Sequence, residues 1–337
     1  MTDYFRPLAQ LGRARPKGAC TIAGTKSWFT HVEHLSRENA LRVIPAAETP
    51  IEWREIVGAK RSSISGLNMA EPVIMGILNV TPDSFSDGGL YNSPAHAVRV
   101  AKAMVEEGAH LLDIGGESTR PGAMEVPYEA EIARTVPVIE AIRKGLGTPI
   151  SIDTRKMRVA HAALDAGANI VNDVSGFQFD PDLGPYCATA AAPVCLMHAQ
   201  GLPETMQNNP SYEDVLLDVY DFLEQQIKVA TSFGVKRDQI IVDPGLGFGK
   251  TQAHNLALMQ GLSLFHGLGC AIMLGASRKG FIRDIGQAPK ASDRAPGSIA
   301  VALAAVQQGV QILRVHDVSQ TRQALALFQA ATTGVDL

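Results

Sequence analysis

Side chains that can bind ligands or assist catalysis recur along this 337-residue chain, each at the end of a short apolar run. In chain order they are Asn79, Asp113 with Glu117 and Arg120 just beyond, Asp153, Asn172, His198 with Gln200, Asp243, the consecutive residues Ser277, Arg278 and Lys279, and finally Arg314 with His316. Any one of them is equally well explained as a solvated loop residue or a helix cap. The regularity of the whole series indicates that these side chains share one site.

Three members of this series are acidic or amide residues. Asp153, Asn172 and Asp243 together supply carboxylate oxygens and one amide group. Such a set can pair with a planar heterocycle that carries ring N–H and amino donors, as a nucleobase or a pterin does. These residues therefore predict a pocket for a base-like or pterin-like ring.

A second group is basic. Its members, which we interpret as cationic donors, are Arg120, Lys279, Arg314 and His316. Ser118 and Thr119 add hydroxyl groups beside Arg120. Charged donors of this kind suit phosphate oxygens, and the planar guanidinium of arginine matches their geometry. We therefore expect a phosphate or pyrophosphate clamp next to the heterocycle pocket.

The apolar runs that precede these residues have the length and composition of β-strands. They are VIMGILN (73–79), HLLDI (110–114), PISID (149–153), NIVND (169–173), PVCLMH (193–198), QIIVD (239–243), AIMLG (271–275) and QILRVH (311–316). Amphipathic stretches fill the gaps, and several end at a glycine that can cap a helix. This alternation predicts a closed (β/α)8 TIM barrel, with an open doubly wound sheet as the alternative. The polar series would then lie at the carboxyl ends of the strands, where such barrels carry their catalytic face.

The first 70 residues lack this alternation and contain both tryptophans, Trp28 and Trp53. We therefore predict two parts, an extension of unknown role over 1–70 and the catalytic barrel over 71–337. Thr49 and Glu52 have the spacing of a capping box around Pro50, which predicts a helix over about 50–59 with proline as its first residue. No residue of the extension matches the chemistry of the site, so we expect it to pack on the barrel away from the polar series.

The composition limits the classes of partner. Hydrophobic residues make up 46% of the chain and charged residues 19%, which is typical of a globular protein. A net charge of −4 gives no general attraction for nucleic acid or an anionic membrane, and we expect neither partner. The four cysteines have no paired spacing, the amino terminus has no secretory apolar region, and no apolar run reaches the roughly 18 residues of a membrane span. We therefore expect a cytoplasmic protein.

One glycine-rich stretch, over 245–251, ends like the phosphate-binding loop of nucleotide hydrolases. The first glycine that this motif requires falls on Pro244, so we do not expect a nucleotide site there.

Eight motifs, in order along the chain, carry a family resemblance. They are IMGILNVTPDSFSDGG (74–89), DIGGESTRPGA (113–123), SIDTRK (151–156), NDVSG (172–176), MHAQGLPETMQ (197–207), DPGLGFGK (243–250), GASRKGF (275–281) and RVHDV (314–318). This pattern resembles the dihydropteroate synthases. The resemblance implies a transferase of folate synthesis that joins 6-hydroxymethyl-7,8-dihydropterin diphosphate to 4-aminobenzoate and releases pyrophosphate.

The resemblance also implies roles for individual residues and a homodimer. It places the pterin on Asp153, Asn172, Asp243 and Lys279, and the diphosphate on Thr119, Arg120, Arg314 and His316. Ser118, Phe85 and Phe248 would complete the substrate-binding set. The catalytic residues would be Lys279, Arg120, Arg314 and His316. Asn79 would join diphosphate oxygens in binding Mg²⁺, the expected cofactor, which commonly takes its ligands from substrate phosphates and water. The chain departs from the family pattern at Gly280, where many relatives have serine.

Two other functions stay open at this point. A pterin-binding methyltransferase that moves a methyl group from methyltetrahydrofolate to a corrinoid would share the acidic and amide pocket. It would not need the loop with Ser118, Thr119 and Arg120, nor Asn79, nor the pair Arg314 and His316, because its substrate carries no diphosphate. A non-catalytic pterin-binding paralogue should show damage among the cationic residues, and the sequence shows none.

Overall fold

The structure, a computed structural model, describes residues 3–81, 94–120, 122–202 and 204–334. Phe85, one of the predicted substrate-binding residues, lies outside these ranges. Among the helices in these ranges, none is both long enough and apolar enough to cross a membrane.

Small antiparallel sheets and one helix form the amino-terminal part. Its elements are β1 (Tyr4–Pro7), β2 (Cys20–Thr21), β3 (Trp28–Phe29), β4 (His31–Leu35), β5 (Arg42–Pro45) and α1 (Ile51–Gly58). Strand β4 lies between β1 and β5, and β2 pairs with β3. Phe29, Val32 and Val57 are fully buried and form the centre of a small hydrophobic core that belongs to this part of the chain.

The predicted helix is confirmed, but its predicted capping box is wrong. Helix α1 begins at Ile51, and Pro50 is the residue before it rather than its first residue. The Thr49 hydroxyl donates instead to the carbonyl of Ala46 at 2.7 Å. Thr49 thus closes the preceding 3₁₀ turn, and its oxygen does not cap the helix.

Parallel strands form a closed barrel after residue 72. They are β6 (Val73–Asn79), β7 (Leu111–Gly115), β8 (Ile150–Asp153), β9 (Ile170–Asp173), β10 (Val194–Met197), β11 (Ile240–Asp243), β12 (Ala271–Leu274) and β13 (Ile312–Val315). Each strand pairs with the next in sequence, and β13 pairs with β6. The predicted barrel is confirmed, and the alternative of an open sheet is wrong. Burial of nearly every strand residue explains why these segments are apolar runs rather than alternating patterns.

Helices connect the strands on the outside of the barrel. They are α2 (Pro94–Glu107), α3 (Tyr128–Arg143), α4 (Met157–Asp165), α5 (Leu183–Thr189), α6 (Val215–Phe233), α7 (Gln252–Gln260), α8 (Gly280–Ile285), α9 (Ala295–Gln307) and α10 (Val318–Thr333). The Asp214 side chain caps the start of α6 by accepting from the N–H groups of Leu216 and Leu217. Gly234 ends this helix with φ of 106°, a backbone conformation that glycine adopts without steric cost.

The end of the amino-terminal part closes the barrel opposite the polar series. Ser65 and Gly66, both at positive φ, turn the chain so that Ile64 and Leu67 pair through their backbones. Ile64, Leu67 and Met69 then pack in one buried cluster with interior side chains of the barrel. Several of these side chains come from the first residues of strands, namely Val73, Leu111, Ile170, Ala271 and Ile312. The amino-terminal part therefore supplies the apolar floor of the barrel.

Polar contacts fasten the same part of the chain to the outside of the barrel. The Tyr4 hydroxyl lies 2.9 Å from the Asp221 carboxylate on α6, and Arg37 donates to Asp221 at 2.7 Å. The buried Arg61 guanidinium donates to the carbonyls of His266 at 3.0 Å and Cys270 at 3.1 Å. Burial lowers the pKa of Arg61 to about 10. None of these contacts involves the carboxyl end of a strand.

We predict that the apolar floor contributes to stability. Replacement Ile64→Ala removes a side chain that is 1% exposed and should lower the free energy of unfolding by about 2–5 kcal/mol, because a cavity replaces buried contacts. The matched control is Ile51→Ala, at a position that is 52% exposed, which should cost well under about 1 kcal/mol. Urea unfolding measures both. Equal small losses would show that Ile64 does not support the barrel.

Candidate active site

A cavity of about 880 Å³ opens at the carboxyl ends of the barrel strands. Its lining contains most of the predicted site residues, namely Asn79, Ser118, Thr119, Arg120, Asp153, Phe248, Lys279, Arg314 and His316. Asn172 and Asp243 are buried just beneath this lining. The structure therefore brings together every predicted site residue that it describes.

Arg314 lies at the centre of the site and contacts two carboxylates. Its Nε donates to Asp113 at 2.6 Å, and its Nη2 donates to Asp153 at 2.7 Å. Burial alone would lower the pKa of Arg314, but these carboxylates hold it above its ordinary value. The two predicted groups are thus not separate, since the guanidinium assigned to phosphate is ion-paired with the acidic pocket. Asp113 was in the strand-end series but not in the predicted site. Its ion pair with Arg314 shows that it belongs to the site.

Two buried acceptors in this pocket have no hydrogen-bond partner among the described residues. They are Asp153 Oδ1 and Asn172 Oδ1. Asn172 donates through its Nδ2, which lies 3.4 Å from both carboxylate oxygens of Asp113. Burial raises the pKa of Asp153 to about 7, against the opposing effect of Arg314. A buried acceptor without a partner costs about 1–3 kcal/mol, so a ligand that offers N–H groups here would be favoured.

Asp243 and Lys279 form another wall of the pocket. Asp243 Oδ1 accepts the Gly245 N–H at 2.7 Å, and burial raises the pKa of this carboxyl while Lys279 opposes the shift. Lys279 Nζ donates to the Leu246 carbonyl and lies 4.5 Å from the centre of the Phe248 ring. Burial lowers the pKa of Lys279 to about 8, so its ammonium form predominates at neutral pH. A charged donor therefore faces the cavity beside an aromatic ring.

The glycine-rich stretch after β11 serves close backbone packing. A Cβ at Gly245 would lie 1.9 Å from the His198 carbonyl oxygen, and one at Gly249 would lie 2.3 Å from the Gln200 carbonyl oxygen. Both residues also have positive φ. Beneath them, the buried Lys250 Nζ lies 2.8 Å from His198 Nδ1. Burial lowers the pKa of His198 to about 2, and this strand-end histidine supports the loop without lining the cavity.

His316 differs from its prediction in charge. Its Nδ1 lies 3.0 Å from Ser277 Oγ, which also accepts the His316 backbone N–H at 3.2 Å. Burial lowers the pKa of His316 to about 4, and the nearby Arg278 and Arg314 act in the same direction. The prediction of a cationic histidine is therefore wrong, because the ring is neutral at neutral pH. Ser277, which orients this ring, was not in the predicted site although it lies two residues before Lys279.

The remaining predicted residues line the cavity from the end of β6 and from the loop after β7. Asn79 is the last residue of β6, and a Cβ at Gly115 would lie 3.6 Å from its Oδ1. Ser118 and Thr119 are half-buried and Arg120 is exposed. Within the described ranges, no group of three or more His, Cys, Asp or Glu residues is arranged to hold a metal ion. Asn79 can therefore supply one neutral oxygen, and any further metal ligands would have to come from a substrate or water.

Gly280, where the chain departs from the family pattern, is the first residue of α8. The nearest atom to a Cβ at this position is Arg283 Nη2, at 3.9 Å. A serine side chain would fit here, so no steric demand of this backbone explains the glycine.

Comparison with known proteins agrees with this geometry. The family of pterin binding enzymes matches residues 75–316. The dihydropteroate synthase of Synechocystis sp. is 47% identical over 250 residues, which are 74% of this chain and 86% of that protein.

Solved structures give the same result. A Yersinia pestis dihydropteroate synthase in complex with a sulfonamide drug matches with a TM-score of 0.76 at 41% identity, covering 80% of this chain and 98% of that chain. The Xanthomonas albilineans enzyme in complex with 7,8-dihydropteroate matches with a TM-score of 0.72 at 40% identity, covering 79% and 95%. Sequence, barrel and site together place this chain in the family of pterin-binding enzymes, among the dihydropteroate synthases.

Proposed function

We propose that this enzyme condenses 6-hydroxymethyl-7,8-dihydropterin diphosphate with 4-aminobenzoate to give 7,8-dihydropteroate and pyrophosphate in folate synthesis. The observation that carries the proposal is the pair of unpartnered acceptors, Asp153 Oδ1 and Asn172 Oδ1, in a pocket where Arg314 donates to the other oxygen of Asp153. One ligand could donate ring N–H groups to these two acceptors and place a diphosphate on the Arg314 guanidinium. A methyltetrahydrofolate substrate has no diphosphate, so nothing in the site favours the methyltransferase alternative.

The pterin ring would occupy the buried part of the cavity. Asp153, Asn172 and Asp243 provide acceptors for its ring N–H and amino groups, and all three are less than one-tenth exposed. Lys279 Nζ is a donor on the same wall and would meet a ring acceptor. Hydrogen bonds to charged groups in such a site contribute roughly 1.5–3 kcal/mol each.

The diphosphate would lie toward the mouth. Arg314 uses Nε and Nη2 for its carboxylate partners, and among the described residues its Nη1 donates no hydrogen bond. Nη1 is therefore available to a phosphate oxygen. Arg120 supplies a second guanidinium from the loop after β7, with the Ser118 and Thr119 hydroxyls beside it, and His316 adds a neutral ring.

In the proposed reaction, negative charge develops on the diphosphate beside the arginines, and positive charge develops on the pterin beside the acidic groups. The C–O bond between the pterin methylene carbon and the diphosphate breaks, and its electron pair leaves with pyrophosphate, where Arg120 and Arg314 stabilise the charge. The methylene carbon becomes electron-poor, and the acidic groups around the ring favour that positive charge. The amine of 4-aminobenzoate then forms the new C–N bond and releases one proton to solvent. No residue of the chain needs to form a covalent bond to substrate.

The aminobenzoate would lie near the Phe248 ring and Lys279 at the edge of the pterin pocket. The dihydropteroate complex of the Xanthomonas albilineans relative supports a single site for both groups, because that ligand contains both the pterin and the aminobenzoate groups. The aromatic ring of Phe248 offers an apolar face to the benzene ring.

Asn79 fits Mg²⁺ as a partner of the diphosphate, because its side-chain oxygen is a hard ligand and this ion readily takes its other bonds from phosphates and water. When bound, Mg²⁺ would neutralise charge on the diphosphate oxygens. The residues of the chain would bind and orient that group around it. The homodimer and the cytoplasmic location stay predictions, as does the division into an extension over 1–70 and a catalytic barrel over 71–337.

The direct test of the function is pyrophosphate release. We expect release that requires the pterin diphosphate, 4-aminobenzoate and Mg²⁺ together, with one 7,8-dihydropteroate formed for each pyrophosphate. Release of pyrophosphate without the arylamine, or no release with all three present, would contradict the proposal.

We predict that Asp243→Asn weakens binding of 6-hydroxymethyl-7,8-dihydropterin by at least about tenfold, because a charged acceptor in a buried site is lost. Asn keeps the size of the side chain, so the fold should be retained. The control is Asp284→Asn, which changes a half-exposed carboxylate at the rim of the same cavity and should leave the affinity unchanged. Calorimetry gives both affinities. Unchanged pterin affinity in a folded Asp243→Asn protein would remove Asp243 from the pterin site.

A further inference from the structure

A buried ion cluster lies behind the segment that carries Ser118, Thr119 and Arg120. Its members are Glu117, Glu131, Arg155 and Lys156, and each is less than one-tenth exposed. Lys156 Nζ lies 3.1 Å from Glu117 and 2.9 Å from Glu131, and Arg155 Nη2 lies 3.3 Å from Glu117. The cluster thus contains two carboxylates and two cations, and their formal charges cancel.

The cluster holds the backbone of Val126 at both of its polar atoms. The Val126 N–H donates to Glu117 Oε1 at 2.9 Å, and its carbonyl accepts from Lys156 Nζ at 2.5 Å. Lys156 Nζ therefore has three acceptors, which use all three protons of its ammonium group. Since Glu117 immediately precedes Ser118, the cluster joins the two ends of the segment between 117 and 126.

The surroundings fix the cluster itself. The Arg155 guanidinium lies 3.8 Å from the centre of the Phe179 ring, a stacking contact that holds its orientation. On the other side, a Cβ at Gly116 would lie 2.8 Å from Thr135 Cγ2 and 3.1 Å from Glu131 Cγ, so only glycine lets the chain run this close to α3 just after β7. The strand, α3 and the start of α4 therefore meet at these four charges.

Stability alone is a weak explanation for such a cluster. Removing four charges from water carries a desolvation cost that ion pairs at best offset, and apolar residues of similar size would often stabilise a core as well or better. What apolar residues cannot do is hold the N–H and carbonyl of one particular loop residue. That capacity points to a role in geometry.

We propose that Glu117, Glu131, Arg155 and Lys156 act as a clasp, a set of positioning residues that fixes the segment over 118–120 so that Arg120 and its neighbouring hydroxyls meet the diphosphate together with Arg314. This inference rests on the proposed function. Lys156 and Glu131 do not line the cavity, so they act through the loop and not through contact with substrate.

The test variant is Lys156→Met, which keeps the length of the side chain and removes all three donors. Affinity for pyrophosphate with Mg²⁺ should fall at least about fivefold, while affinity for 6-hydroxymethyl-7,8-dihydropterin should change by less than about twofold, since among the described residues Lys156 makes no hydrogen bond to Asp153, Asn172 or Asp243. Hydrogen exchange of the Val126 amide should become faster. The matched control is Lys228→Met, whose exposed ammonium pairs with Glu224 on α6 and which should change none of these values.

A second variant guards against simple misfolding. Lys156→Met combined with Glu131→Gln leaves Glu117 paired with Arg155, so no buried carboxylate loses all its charge partners, and the same pattern of affinities is expected. Equal losses for pyrophosphate and pterin in a folded variant, or unchanged exchange at Val126, would overturn the clasp. Failure of the unmodified enzyme to bind pterin diphosphate would instead overturn the proposed function. The two failures are distinguishable, because the exchange of the Val126 amide is measured without ligand and tests the clasp alone.

Discussion

The pairing of Arg314 with Asp113 and Asp153 is the interaction on which the rest of the site depends. One guanidinium on β13 reaches carboxylates on β7 and β8, and it does so only because the sheet closes between β13 and β6. Without this cation, two buried carboxylates would lie near one another with no positive charge to offset them. Arg314 therefore opposes the rise that burial causes in the pKa of Asp153, and its Nη1 is left for the group that we assign to the diphosphate. The leaving group and the ring that it leaves are thus bound next to the same cation.

This arrangement requires a rigid frame, and the two ends of the barrel divide that task. At the amino ends of the strands, Ile64, Leu67 and Met69 fill the interior with apolar side chains. At the carboxyl ends, the interior is polar, and backbone groups of the loops help to hold it, as the Gly245 N–H does for Asp243. Preorganised donors and charges of this kind stabilise a developing charge without the cost of reorientation. Stability and chemistry therefore occupy opposite faces of one fold.

Sequence reasoning predicted the barrel and most of the site because both follow local rules. Asp153, Asn172 and Asp243 lie at or near the ends of apolar strands. Closure of the barrel brings the carboxyl ends of its strands together whatever contacts their side chains make. Sequence reasoning missed the features that depend on contacts between residues far apart in the chain. The neutral state of His316 follows from burial beside Arg278 and Arg314, and the pairing of Arg314 follows from which strands become neighbours. Thr49 had the right spacing to cap the helix, but its hydroxyl donates to the carbonyl of Ala46. Both hydrogen bonds are local, so the spacing of residues alone cannot distinguish them. The floor residues Ile64, Leu67 and Met69 carry no motif at all.

The central claim, that one guanidinium serves both halves of the substrate, is tested most directly by Arg314→Lys. A lysine keeps the positive charge but presents one ammonium group, which cannot reproduce the fixed fork that bonds Asp113, Asp153 and a phosphate together. Calorimetry on the folded variant should show affinity losses of at least about tenfold both for 6-hydroxymethyl-7,8-dihydropterin and for pyrophosphate with Mg²⁺. A loss confined to one of these ligands would show that the acidic pocket and the diphosphate site are independent, and would contradict the account.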